Sequence, residues 1–202
     1  LPRRMQRPIA VIYAFARSAD DFADEGDLSA AARDAQLHDY AAKLDALRAD
    51  HPINDPIFIA LSDIVAKYTL PLDLLYDLLI AFRQDVTKRR YADFAEVLDY
   101  CRHSANPVGR LVLHLYQAAT AENLRDSDSI CTALQLINFW QDLAQDCDEN
   151  DRIYLPQDEM ALYGVNEAQL IEHRCDAALR RLLDMQIARA RRLLLLGAPL
   201  GK

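Results

Sequence analysis

The chain has 202 residues, a net charge of −8, 51% hydrophobic residues and only five glycines. That length and apolar content suffice for one domain with a buried core. The acidic balance argues against a nucleic-acid binder, and no glycine-rich loop is present to cradle a phosphate.

Helical patterns recur along the whole chain and no convincing alternating strand appears, so the expected fold is all-α, a single domain over residues 1–202. The first helix is expected over residues 8–25, ending at Gly26. Ile9, Val11, Ile12, Phe15, Ala19, Phe22 and Ala23 make it apolar, while Tyr13, Arg17, Asp20, Asp21 and Asp24 recur at steps of three and four. At 3.6 residues per turn those polar side chains share one face. Asp20 and Asp24 lie one turn apart, where like charges weaken a helix. Arg17 is placed either to pair with Asp21 or to meet an anion.

A second helix is expected over 29–50, with His38 and Lys43 on its wet side, before His51-Pro52 breaks it. Asp55 as cap and Pro56 in the first turn open a third, reaching Lys67. Leu70-Pro71 precedes a fourth, which ends in Arg83, Lys88, Arg89 and Arg90. Cations favour a helix C-terminus, yet four exceed what capping needs, leaving one or two to face an anion. A fifth helix starts near Asp93 and is interrupted at Pro107. His103, beside that break, reads as a polar residue of a bent helix.

Residues 127–151 repeat the design of the first helix. Ile130, Ala133, Leu134, Leu136, Ile137, Phe139, Trp140 and Leu143 make a helix suited to burial, which Ser127 is expected to cap. Gln135, Asn138, Asp142, Asp146 and Glu149 form a thin polar stripe along it. From Asp126 to Asp151 there are seven acids and no Lys or Arg. A solvated face would favour Glu–Lys pairs, and Asp or Asn in mid-helix competes for the backbone. Two helices carrying Asp-x-x-x-Asp pairs therefore suggest an oxygen-lined site for a hard divalent cation. Mg2+ suits it, because that ion takes few carboxylates and shares its shell with water and substrate phosphates. Zinc would want His or Cys at ligand spacing, and a di-iron bundle would want Glu-x-x-His motifs; neither pattern occurs.

Arg152 is the first cation after the acidic stretch and is placed to close over an anion. Residues 153–167 read as a loop with short helical turns, and Asn166 as the cap of a long final helix to Leu196. The run 193–196, behind Arg189, Arg191 and Arg192, reads as core-facing, with a membrane surface as the alternative. The four cysteines lack a Cys-x-x-Cys spacing and read as reduced thiols of a cytoplasmic protein.

Five landmarks together resemble one family: Tyr13-Ala-Phe-Ala-Arg17-x-x-Asp20-Asp21-x-x-Asp24; Asp85-x-x-Lys88-x-Arg90-Tyr91; Tyr100-Cys101; Val108-Gly109; and Gln135-x-x-Asn138-x-x-x-Asp142-x-x-x-Asp146 followed by Arg152-Ile-Tyr154. They are similar to the squalene and phytoene synthases, the trans-isoprenoid head-to-head synthases. ADDFADEGD, FRQDVTKRRY, RHSANPVGR and NFWQDLAQD resemble its bacterial hydroxysqualene synthase branch, of hopanoid biosynthesis.

The resemblance implies an isoprenoid-synthase-type helical bundle with a central apolar cavity. It implies that Asp20, Asp24, Asn138, Asp142 and Asp146 hold Mg2+, the four aspartates being catalytic. Tyr13, Arg17, Tyr100, Gln135, Asn138, Arg152 and Tyr154 would bind the prenyl diphosphate. Ala105, Val108, Val112, Ile130 and Leu134 are candidates for its dry walls, though core packing accounts for them equally well. Where carotenoid-type members have Arg before the first Asp of the second motif, this chain has Gln141, which weakens a carotenoid assignment. The family's additional N-terminal segment and C-terminal helices are expected to be lacking from 1–202.

The function implied is conversion of presqualene diphosphate and water to hydroxysqualene and diphosphate. The alternatives are head-to-head condensation of farnesyl or geranylgeranyl diphosphate, and a non-catalytic metal-binding scaffold. The expected partners are the prenyl diphosphate, a membrane surface touched peripherally for product release, and other enzymes of the squalene and hopanoid pathway.

Overall fold

The computed structural model describes residues 2–24 and 28–201; Glu25 and Gly26, the expected end of the first helix, lie outside them. Among the described residues there is no strand, only an isolated parallel bridge between Arg90 and Ile153. The helices are α1 (Arg3–Asp24), α2 (Ala30–Arg48), α3 (Pro56–Tyr68), α4 (Asp73–Thr87), α5 (Phe94–Ser104), α6 (Asn106–Leu115), α7 (Ala121–Gln141), α8 (Leu143–Asn150), α9 (Gln157–Tyr163), α10 (Glu167–Ile171) and α11 (Ala177–Leu196), then a 3₁₀ turn.

Local chemistry explains most boundaries. The Asp55 carboxylate accepts from the Ile57 and Phe58 N–H groups, and Pro56 opens α3 without wasting a donor. Ser29 accepts from the Ala32 N–H at the head of α2. Asp93 caps α5 through the Glu96 N–H, and Glu96 reaches back to the Ala92 N–H. Pro107 sits in the first turn of α6, so the expected interruption falls at Ala105.

Four expectations are corrected. Helix α1 begins five residues before Pro8, with Met5 buried. Ser127 is buried in mid-helix; α7 begins at Ala121, where the Thr120 hydroxyl accepts from the Asn123 N–H. Asn166 does cap a helix, in a reciprocal box with Gln169, but α10 stops after five residues, and Asp176 caps the long α11 afresh. The acidic helix is also bent: Asp142 has φ −96° and ψ 8°, separating α7 from α8.

The chain forms two compact units, residues 1–87 with 107–124, and residues 88–106 with 125–202. In the first, α1 packs on α2, α3 and α4. Phe15, Leu37, Leu44, Phe58, Leu61 and Leu75 are fully buried there, each stabilising by about 1.5–3 kcal/mol. Phe58 meets Phe15 and Tyr40 edge-on at 5.7 and 5.0 Å. Lys43 is not on a wet side: it is half-buried, ion-paired with Asp39 and Asp55 at 2.8 and 3.0 Å.

In the second unit α9 packs on α11 and α8 on α10, around Ile153, Leu155, Leu170, Leu179 and Leu182. Gly197 ends α11 against α7. A Cβ there would lie 2.5 Å from both the Asp126 carbonyl oxygen and Ile130 Cγ1, so only glycine passes. The run before it corrects another expectation, for Leu194, Leu195 and Leu196 are exposed, not core-facing.

Candidate active site

In the first unit, α1 buries Ile12, Phe15, Ala19 and Ala23 and turns Tyr13 and Arg17 outward. Arg17 holds Asp20 at 3.2 Å and Asp21 at 2.7 Å, all three partly exposed. Arg17 thus spreads one charge over two carboxylates, a compact group facing outward. Asp24 closes α1, and its side chain falls outside the described residues.

In the second unit the polar stripe survives the bend. The Asp142 N–H still donates to the Asn138 carbonyl at 2.9 Å, and the Asp146 N–H to the Asp142 carbonyl at 2.8 Å. One-turn spacing is therefore kept through Asn138, Asp142 and Asp146. Gln135 is half-buried, Asn138 exposed, and Asp142 and Asp146 partly exposed. The Asp142 carboxylate makes no capping bond, and among the described residues no ion pair reaches it. Glu149 belongs to ordinary surface, since Gln145 donates to it at 3.0 Å.

Beside this stripe stands an aromatic wall. Tyr154 stacks on Phe139 at 3.6 Å and 8°, and on Tyr91 at 5.3 Å; Tyr100 lies 5.6 Å from Tyr154. Arg152 is only 4% exposed, and its Nη1 donates to the Tyr154 hydroxyl at 3.3 Å. The Arg152 N–H donates to the Asp146 carbonyl at 3.0 Å, so the acidic stripe and the buried guanidinium share one piece of backbone. A buried guanidinium whose backbone is tied to an acidic stripe is suited to an anion that brings cations with it.

Among the described residues no cluster of three or more His, Cys, Asp or Glu side chains could hold a metal by itself. The donors along α7 and α8 are nonetheless all oxygens, two carboxylates and an amide. A shell completed by water and phosphate oxygen is the habit of Mg2+, so the residues present fit that ion.

Other candidates resolve plainly. His103 is buried, its Nδ1–H donating to the Asp99 carbonyl at 2.9 Å, which suits a structural residue. Burial pushes the Cys101 thiol up to about 12, far from a thiolate nucleophile. Of the cations expected to end the fourth helix, Arg83 lies within α4 and pairs with Asp34, while Lys88, just beyond it, pairs with Glu96. Arg90 is clamped by Glu167 and Asp151. None of the five wall candidates is buried: Val108, Val112 and Leu134 are exposed, Ala105 and Ile130 half-exposed. Core burial therefore does not account for Val108, Val112 and Leu134, whereas Ile130 packs against Gly197.

The squalene/phytoene synthase family model matches residues 1–202. The chain is 36% identical over 193 residues to a hydroxysqualene synthase of Rhodopseudomonas palustris, covering 96% of this chain and 64% of that one. It is 35% identical over 192 residues to the hydroxysqualene synthase of Zymomonas mobilis, covering 93% and 63%. The chain thus spans under two thirds of these relatives' length. Among solved structures, squalene synthase HpnC from Alicyclobacillus acidocaldarius superposes with a TM-score of 0.87 at 35% identity, covering 94% of this chain and 70% of that one. A dehydrosqualene synthase gives 0.86 at 26% identity, covering 98% and 68%. The expected all-α isoprenoid-synthase fold is borne out.

Proposed function

Because the chain belongs to the squalene/phytoene synthase family, we propose that it acts as one catalytic domain and converts presqualene diphosphate and water to hydroxysqualene and diphosphate. The observation that carries this reading is the α7–α8 stripe of Gln135, Asn138, Asp142 and Asp146, joined through the Asp146 carbonyl to the buried Arg152. The similarity to two hydroxysqualene synthases supports the choice of branch.

Asp20 and Asp24 of the first unit would hold Mg2+, and so would Asn138, Asp142 and Asp146 of the second. When bound, that ion supplies Lewis acidity to the departing diphosphate oxygens. Arg17, Arg152, Gln135 and Tyr13 orient the diphosphate, while Tyr154 braces Arg152. The substrate's carbon–oxygen bond breaks with both electrons leaving on diphosphate. Apolar side chains, Val108 and Val112 in the first unit and Ile130, Leu134 and Tyr100 in the second, would keep water from the resulting cation until rearrangement is complete. One water then adds at carbon and loses a proton, giving the alcohol.

The test is incubation with Mg2+ and presqualene diphosphate, followed by analysis of the extracted lipid. Hydroxysqualene is expected, and none after the divalent cation is chelated. Product from farnesyl diphosphate alone would transfer the assignment to head-to-head condensation, the alternative reaction expected of the same fold.

No helix among the described residues is long and apolar enough to cross a membrane. A cytoplasmic protein touching the bilayer peripherally fits the outer side of α11, where Ile187, Leu194, Leu195 and Leu196 are exposed among Arg180, Arg181, Arg191 and Arg192. Basic residues near an anionic surface contribute about 1 kcal/mol each. Other squalene and hopanoid pathway enzymes would meet the product there. Flotation with phosphatidylglycerol vesicles should retain the protein at low salt and lose it for Leu195→Glu. Equal retention of both proteins would remove the membrane role.

A further inference from the structure

Arg90 closes the run Lys88-Arg89-Arg90, and its surroundings leave it no hand for a substrate. Its Nε and Nη2 donate in parallel to Glu167 Oε1 and Oε2, both at 2.9 Å. Nη2 also donates to Asp151 Oδ1 at 2.8 Å. Nη1 donates to its neighbour's carbonyl, that of Arg89, at 3.0 Å and to the Asp151 carbonyl oxygen. All three guanidinium nitrogens are therefore bound to protein.

What they hold is the peptide just before Arg152. Asp151 is left-handed, φ 49°, where it ends α8 and turns the chain. The chain then runs beside residues 89–92. The Ile153 N–H donates to the Arg89 carbonyl at 3.0 Å, and the Gln157 and Asp158 N–H groups to the Tyr91 and Ala92 carbonyls at 2.9 and 3.1 Å. Arg90 grips both the side chain and the carbonyl of the residue at the turn, and Glu167 anchors Arg90 from α10.

We infer that Arg90, anchored by Glu167, is a positioning residue that sets where Arg152 and Tyr154 present themselves, and is not itself a ligand of the diphosphate. This rests on the proposed function, in which Arg152 meets that group. A merely stabilising ion pair would not need to engage the backbone carbonyl of residue 151. Lysine cannot replace the fork, having one compact ammonium in place of a planar set of donors. The Arg90 guanidinium beside Glu167 and Asp151 holds both carboxyls below their usual values. A depressed pKa means the pairing is present above the unfolded value and lost as pH falls through the folded one, so the clamp stays charged at neutral pH.

The experiment is a cycle of Arg90→Gln, Arg152→Gln and the double variant, read by kcat and KM for presqualene diphosphate with Mg2+ and by thermal melting. A misplacement of about 1 Å costs roughly 100-fold in rate, so Arg90→Gln should lose about that much in kcat/KM. It should lose almost nothing further once Arg152 is glutamine, and Arg90→Lys should not rescue it. Glu167→Gln should show a smaller loss, also absent in the Arg152→Gln background, and serves if Arg90→Gln does not fold. Wild-type kinetics in folded Arg90→Gln or Glu167→Gln, or equal losses in both backgrounds, would overturn the inference while the proposed reaction stands. An inactive wild type would instead remove the reaction, and the inference with it.

Discussion

Asp142→Ala is expected to lower turnover of presqualene diphosphate by about 10³-fold with little change in melting temperature. Lewis-acid stabilisation of a leaving oxygen is worth several kcal/mol, and each 1.36 kcal/mol is a factor of about ten in rate. Stability should hardly move, because the carboxylate caps nothing and has no ion pair among the described residues. Partly exposed side chains without such roles change stability by about ±0.5 kcal/mol when replaced. The bend is held by backbone bonds from Asp142 to Asn138 and from Asp146 to Asp142, which alanine preserves. Glu149→Ala is the matched control, on the same helix face but bonded to Gln145, and should turn over at the wild-type rate. Full activity of Asp142→Ala would end the metal assignment on α7 and α8.

The same residues show how far the sequence could be read. The start of α3 was legible because its cap is local: Asp55 and the N–H groups it accepts are two and three residues apart. The polar stripe was legible for the same reason, since helical period alone aligns Asn138, Asp142 and Asp146. Ser127 misled because a cap and a buried helical serine look alike in sequence; its hydroxyl lies 3.9 Å from Cys131 Sγ, inside α7. Asn166 really caps, but nothing local said that α10 would end at Ile171 and Asp176 begin another helix. Arg90 was out of reach altogether. Its partner Glu167 is 77 residues away, and a basic run at a helix end reads identically whether its members bind solvent, phosphate or a carboxylate.

Long-range pairing also carries the largest expected loss of stability, at Glu159. Arg189 Nη2 and Nη1 donate to Glu159 Oε1 and Oε2 at 2.6 and 3.0 Å, and Gln186 Nε2 donates to Oε2 as well. Gln186 is fully buried, the Arg189 and Glu159 side chains are 22% and 14% exposed, and Arg189 lies 3.7 Å over the Phe94 ring. Glu159→Ala would leave the Arg189 guanidinium without its carboxylate, bonded only to the Gln186 amide oxygen at 3.0 Å, and the Gln186 Nε2 without an acceptor. Removing one partner of a buried pair costs roughly 3–5 kcal/mol, and the residual exposure places this one at the lower end, about 3 kcal/mol. For a chain of this size that lowers the melting temperature by about 6–12 °C. Asp73→Ala breaks a pair with Arg48 whose side chains are 85% and 52% exposed, and should shift melting by less than about 2 °C. Replacing Glu159 and Arg189 together by methionine should recover most of the loss, because the penalty lies in the charge left alone and not in the pair's absence. Thermal melts of the three variants decide it; a Glu159→Ala shift as small as that of Asp73→Ala would mean water screens the network.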